Sequence, residues 1–179
     1  MQNFNTFVLL KYHYFNKIYI LNQRSGHTVA EVVQKLEYYC SYQERCHLEV
    51  NEKLKSFSIT PQEKDQIIVH LIHNSFLNEE RFASVFAMSK FHQKKWGKIR
   101  IKNELKARKI SDFLIAKSLK EIPYDEYETT FEMLSEKFWD SIAEKNMLKK
   151  RKNFCDYLLR KGWESDWIYD RVKKFEQTH

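Results

Sequence analysis

Turn-forming residues are scarce in this chain, with two prolines and three glycines in 179 positions. A β protein built from many hairpins needs more of both, so that class is excluded. The glycines, Gly26, Gly97 and Gly162, stand alone, which leaves no glycine-rich loop to cradle a phosphate. Cys40, Cys46 and Cys155 form no CxxC pair and no Cys/His ligand spacing. An odd cysteine count without a framework fits a reducing cytoplasm, where free thiols pack as small hydrophobes. No apolar run approaches the roughly 18–20 residues of a membrane span. A signal peptide needs a basic start and a small-residue cleavage site, and residues 1–25 show neither. The expectation is a cytoplasmic protein that makes no membrane contact.

Catalytic signatures are also missing. There is no HExxH and no nucleophile elbow. His70 and His73 stand at i, i+3 without a third ligand, which favours a polar helix edge over a metal site. Cys46-His47 reads as a core thiol beside a surface imidazole for the same reason. Glu79 and Glu80 open a helix, where carboxylates favour the positive end of the dipole. The chain is therefore read as non-enzymatic, with no metal and no cofactor.

What the chain does have is a near-repeat. EVNEKLKSFSI surrounds Leu54, RIKNELKARKI surrounds Leu105, and KNFCDYLLRKGW surrounds Leu158. The anchors are 51 and 53 positions apart, and such a period signals stacked supersecondary units that cannot bury their apolar faces alone. Hydrophobic residues at 42% and aromatics at 15% suffice for packed cores. The periodicity is helical throughout, so an all-α fold of three tandem three-helix repeats is predicted. Residues 1–27 are expected to be a poorly ordered extension. Residues 28–77, 78–122 and 123–179 are expected to form repeats 1, 2 and 3.

Thr28 with Glu31 has capping-box spacing, and Val32, Leu36, Tyr39 and Cys40 follow at helical intervals. Val50, Leu54 and Phe57 share the next face. Thr60-Pro61 supplies a cap and a first-turn proline ahead of Ile67, Ile68, Leu71 and Ile72. Asn78 caps a helix whose expected buried face is Phe82, Val85, Phe86 and Ser89. Gly97 breaks the chain before Ile101 and Leu105, and Ser111 caps a helix carrying Leu114, Ile115 and Leu119. Beyond Pro123 come Phe131, Leu134, Phe138 and Trp139. The last pair is split by Gly162 and ends on Ile168, Val172 and Phe175. The turn between the last two helices of each repeat is short, as in helix-turn-helix units.

Charge separates the repeats. Residues 79–122 carry twelve basic against five acidic residues, a net of +7 that equals the excess of the whole chain. Residues 29–78 come to −2 and residues 123–179 to −1. The segment from Lys94 to Lys109 holds Lys94, Lys95, Lys98, Arg100, Lys102, Lys106, Arg108 and Lys109 against Glu104 alone. Lys98, Lys102 and Lys106 form one stripe, and like charges at i, i+4 weaken a helix by a few tenths of a kcal/mol each. A stripe that opposes folding is better explained by a polyanionic partner than by a solvated face. Lys149, Lys150, Arg151 and Lys152 form a smaller run at a helix start, against the dipole. Trp96 beside Gly97 either plugs the repeat junction or stacks on a base, and packing is the favoured use.

FLNEERFA at Phe76 to Ala83, with WGKIRIKNELKARKIS at Trp96 to Ser111, resembles the RecX family of recombinase regulators. YCSYQERCHLEVNEKL at Tyr39 to Leu54 resembles the first repeat of Bacteroidetes-type relatives, and YLLRKGWESDWI at Tyr157 to Ile168 resembles the closing pattern. Lys109 stands where a glycine is common in that family. The resemblance implies three tandem three-helix repeats in an elongated curved body. It also implies a monomer that binds the RecA–DNA filament and inhibits its extension, strand exchange and co-protease activity. Contact with single- and double-stranded DNA would run through the basic second repeat. The alternative reading is a sequence-nonspecific nucleic-acid-binding helical repeat protein that needs no RecA.

Overall fold

A computed structural model describes residues 27–178. The expected N-terminal extension lies outside these residues, apart from His27. The described residues form nine α-helices and no strand: α1 Val29–Tyr42, α2 His47–Leu54, α3 Pro61–His73, α4 Glu79–Lys94, α5 Lys98–Ala107, α6 Asp112–Lys120, α7 Tyr124–Ser141, α8 Met147–Lys161 and α9 Ser165–Thr178. They fall into three successive sets of three, the predicted repeat architecture.

Short-range chemistry starts the helices. At Thr28 and Thr60 the hydroxyl accepts from the backbone three residues on, and the Glu31 or Glu63 carboxylate accepts from the cap N–H, completing two capping boxes. Asn78 and Ser111 accept from the N–H groups of Arg81 and Leu114. Each such cap contributes about 1 kcal/mol.

The chain divides into two compact units, residues 27–43 with 49–77, and residues 44–48 with 78–178. The first unit closes around Val32, Leu36 and Cys40 of α1, Val50 and Leu54 of α2, and Ile67, Leu71 and Leu77. His70 Nε2 lies 2.7 Å from the Glu37 carboxylate, a polar bridge between α3 and α1. The second unit joins six helices around one core that runs from Phe82 through Leu105, Phe131 and Leu158 to Val172, with Cys46 packed into it.

Two expected faces differ from those observed. On α4 the buried side chains are Phe82, Ala83, Ala87 and Phe91, while Val85 is 45% exposed. The alanines set the contact because a helix approaches its neighbours most closely along its smallest residues, and counting only large apolar residues rotates the face. Phe57 lies beyond the end of α2, in a turn where its N–H donates to the Leu54 carbonyl, and it packs on the core from there.

The repeat extends to the helix ends. Lys109 and Gly162 each follow a middle helix in the left-handed region, at φ 62° and 83°. Ile110 N–H then reaches the Leu105 carbonyl and Trp163 N–H the Leu158 carbonyl, each at 3.2 Å. The same six-residue closure thus forms around a glycine in one module and around a lysine in the other. A Cβ in that conformation costs about 1–2 kcal/mol, partly offset because a lysine loses less backbone freedom on folding. Lys109→Gly is therefore expected to stabilise the fold by about 0.5–1 kcal/mol. Urea unfolding checks this, with a higher midpoint at an unchanged slope.

Candidate polyanion interface

α4 ends at Lys94, and Lys95 takes a left-handed conformation (φ 52°) that turns the chain into Trp96 and Gly97. Gly97 opens α5 directly against the end of α8. A Cβ on Gly97 would stand 2.1 Å from the Gly162 carbonyl oxygen, and one on Gly162 would stand 2.3 Å from the Arg100 backbone nitrogen. Only two glycines permit this approach. The N–H of Gly97 donates to the Lys161 carbonyl at 2.9 Å and that of Ile99 to the Gly162 carbonyl at 3.1 Å. The orphan donors at the start of α5 thus meet the orphan acceptors at the end of α8.

Tyr127 of α7 completes the joint. Its hydroxyl accepts from Lys98 N–H at 2.9 Å and donates to Glu164 Oε2 at 2.8 Å. Burial pushes the ionisation of the phenol far above its usual range, the Lys98 hydrogen bond opposes this, and the Glu164 charge adds to it. The group stays protonated and can serve as donor and acceptor at once.

Cations gather around this backbone joint. The Arg100 guanidinium lies 4.1 Å from the Trp96 ring centroid and donates through Nη1 to the Arg160 carbonyl at 2.9 Å. Trp96 also packs on the core, so it serves the junction, as favoured from sequence. Lys98 Nζ sits 4.6 Å from the Tyr127 ring centroid. Lys161 Nζ donates to the Lys94 carbonyl at 2.8 Å. Partial burial, followed by the charges of Arg100 and Lys94, holds the Lys161 ammonium below its usual pKa. Among the described residues, none of Lys94, Lys95, Lys98, Arg100, Arg160 or Lys161 forms an ion pair with a carboxylate. Such an arrangement suits a ligand that brings its own negative charge.

The other predicted residues are placed differently. Lys102 is exposed on α5 and continues the stripe. Lys106 pairs with Asp112 at 3.1 Å. Arg108 is held by Glu104 at 2.8 Å and lies over the Phe86 ring. The run at 149–152 begins α8, about 16 Å along the helix from Lys161 at 1.5 Å per residue. There Lys150 covers the Trp139 ring, Arg151 approaches Glu176, Lys152 pairs with Asp156, and Lys149 is exposed. Arg160 and Lys161 were not among the predicted residues. Basic residues in a last helical turn read as dipole partners, so only the pairing of Gly97 with Gly162 could have pointed to them.

Residues 78–119 match the family model for the second three-helix domain of RecX. Among curated proteins, the regulatory protein RecX of Bacillus cytotoxicus is 28% identical over 130 residues, covering 73% of this chain and 48% of that protein. RecX of Bacillus thuringiensis is 26% identical over the same coverage. This chain is similar to RecX proteins, most specifically over its second three-helix module. It spans about half the length of the curated relatives it matches. The crystal structure of RecX from Lactobacillus salivarius shares the fold with a TM-score of 0.70 and 23% identity, covering 84% of this chain and 97% of that one. A second RecX crystal structure gives a TM-score of 0.71 at 18% identity, covering 82% of this chain and 73% of that one. The matched RecX domain supplies Lys94 through Arg108, whereas Arg160 and Lys161 come from the module that follows it.

The joint sets a sharp expectation. Gly97→Ala forces a methyl group into the Gly162 carbonyl and should cost about 3 kcal/mol, in the range of severe backbone clashes. Lys102→Ala, at an exposed position of α5, serves as the control, and thermal unfolding of the two variants reads the difference.

Proposed function

We infer that this protein modulates the RecA recombinase by binding the RecA–DNA filament through its basic second module and limiting filament extension, strand exchange and co-protease activity. It acts as a monomer in the cytoplasm, with residues 28–77, 78–122 and 123–179 as successive modules. The similarity to regulatory RecX proteins supports the RecA connection. The observation that carries the interface is the carboxylate-free cluster of Lys94, Lys98, Arg100 and Lys161, in which the Arg100 and Lys161 side chains are fixed by hydrogen bonds to backbone carbonyls. Rigid cations lose little freedom when they meet phosphate or an acidic protein surface, so preformed geometry converts into affinity. Single- and double-stranded DNA are both accessible to such a surface, because phosphate recognition does not read sequence.

Lys94, Lys95 and Lys102 are the residues to reverse, since their side chains hold no partner that the fold needs. The Lys94→Glu, Lys95→Glu, Lys102→Glu triple variant should keep its helicity and lose at least tenfold in its inhibition of RecA ATPase on single-stranded DNA. Unchanged inhibition would count decisively against the basic face. In the same titration, inhibition by wild-type protein well below one copy per RecA indicates blocked extension. A free-standing nucleic-acid binder would instead bind bare DNA tightly, lose that affinity steeply as salt rises, and leave the ATPase unaffected until the DNA is coated.

A further inference from the structure

A second surface of different chemistry lies on the first unit, whose sequence carries no excess of positive charge. Tyr38 and Tyr42, one turn apart on α1, are 73% and 76% exposed, and their rings lie 6.5 Å apart at an interplanar angle of 27°. Large aromatics on a solvated helix face gain nothing from burial, so their placement in an otherwise well-packed unit calls for a reason. They edge a groove of about 890 Å³ that also includes Tyr39 and Phe57 and is rimmed by Lys35 and Lys53. The two ammonium groups stand 5.9 Å from the Phe57 ring and 6.0 Å from the Tyr39 ring. Neither forms an ion pair with a carboxylate among the described residues. The groove's carboxylate, Glu31, accepts from the Thr28 N–H in the α1 capping box at 2.8 Å.

We propose that this groove is a stacking platform for single-stranded nucleic acid, with Tyr38 and Tyr42 offering faces to successive bases and Lys35 and Lys53 meeting the phosphates. The rim supplies the charge complementarity, two cations against one carboxylate already engaged by the backbone. Its volume falls within the 300–1,000 Å³ of pockets that take drug-sized molecules, enough for a nucleotide or two. Stacking on aromatic side chains tolerates any sequence because every base has a π-face. A duplex keeps its bases paired and inside, so the platform selects unpaired strands. The proposal shares with the proposed function the premise that this protein meets DNA, but it concerns a different module and a different part of the nucleotide.

Fluorescence anisotropy with labelled oligothymidylate, its abasic counterpart and a duplex of equal length tests it on the full chain. Tyr38→Ala with Tyr42→Ala should weaken binding to oligothymidylate by tenfold or more and leave duplex binding unchanged. Tyr38→Phe with Tyr42→Phe keeps the rings and should retain the affinity, and circular dichroism checks that both variants fold. Wild-type protein should bind the abasic strand as weakly as the alanine variant binds the intact one. Equal affinity of the alanine variant and wild type for oligothymidylate would overturn the platform. So would a loss confined to binding of DNA-free RecA, which would place a protein surface in the groove. The Lys94, Lys95 and Lys102 charge reversals, run alongside, weaken duplex and single strand together. A failure of the basic face is thereby distinguished from a failure of the platform.

Discussion

Between Gly97 and Gly162 two backbones come so close that no side chain could stand between them, and what else the second unit does follows from that approach. Hydrogen bonds from Gly97 and Ile99 to the last carbonyls of α8 fix where α5 begins. The position of α5 then sets where Lys98 and Arg100 project, and the position of α8 does the same for Lys161. Tyr127 locks the assembly from the side through a phenol that burial keeps protonated. The basic surface is therefore a property of a joint between modules, more than of any one helix.

Much of the architecture was legible from local chemistry. Thr28, Thr60, Asn78 and Ser111 cap helices because their side chains reach backbone groups three residues away, a distance the sequence displays directly. Leu54, Leu105 and Leu158 are buried as their shared spacing required. The face of α4 was misread because Ala83 and Ala87 matter through their smallness, which a search for large apolar residues passes over. The candidate site was legible only in half. Lys94 to Lys102 form a visible run, but Arg160 and Lys161 meet them across some 60 positions, and no periodicity encodes a contact of that range.

The modules share a backbone plan and differ in what covers it. Ile110 and Trp163 close the same turn by the same hydrogen bond, although one turn is built on lysine and the other on glycine. The charges that cover those turns are free to vary, since few of them reach the core. Shape is fixed by Leu, Ile and Gly positions, and specificity is written on the residues between them. In this chain that writing differs strongly from module to module. One carries clustered cations without carboxylate partners, and another carries exposed tyrosines beside lysines.

The unneutralised cluster at the joint also has a thermodynamic side. Partial burial first, and then the charges of Arg100 and Lys94, depress the ammonium of Lys161, so the cations of the folded cluster repel one another in addition to losing water. A ligand that neutralises these groups relieves that repulsion as it binds, and by linkage it favours the native state in proportion to RT ln(1 + [L]/Kd). The protein is thus most stable when engaged and least stable when idle. Copies without such a ligand lack that added stability and are, by the same linkage, more exposed to unfolding and proteolysis.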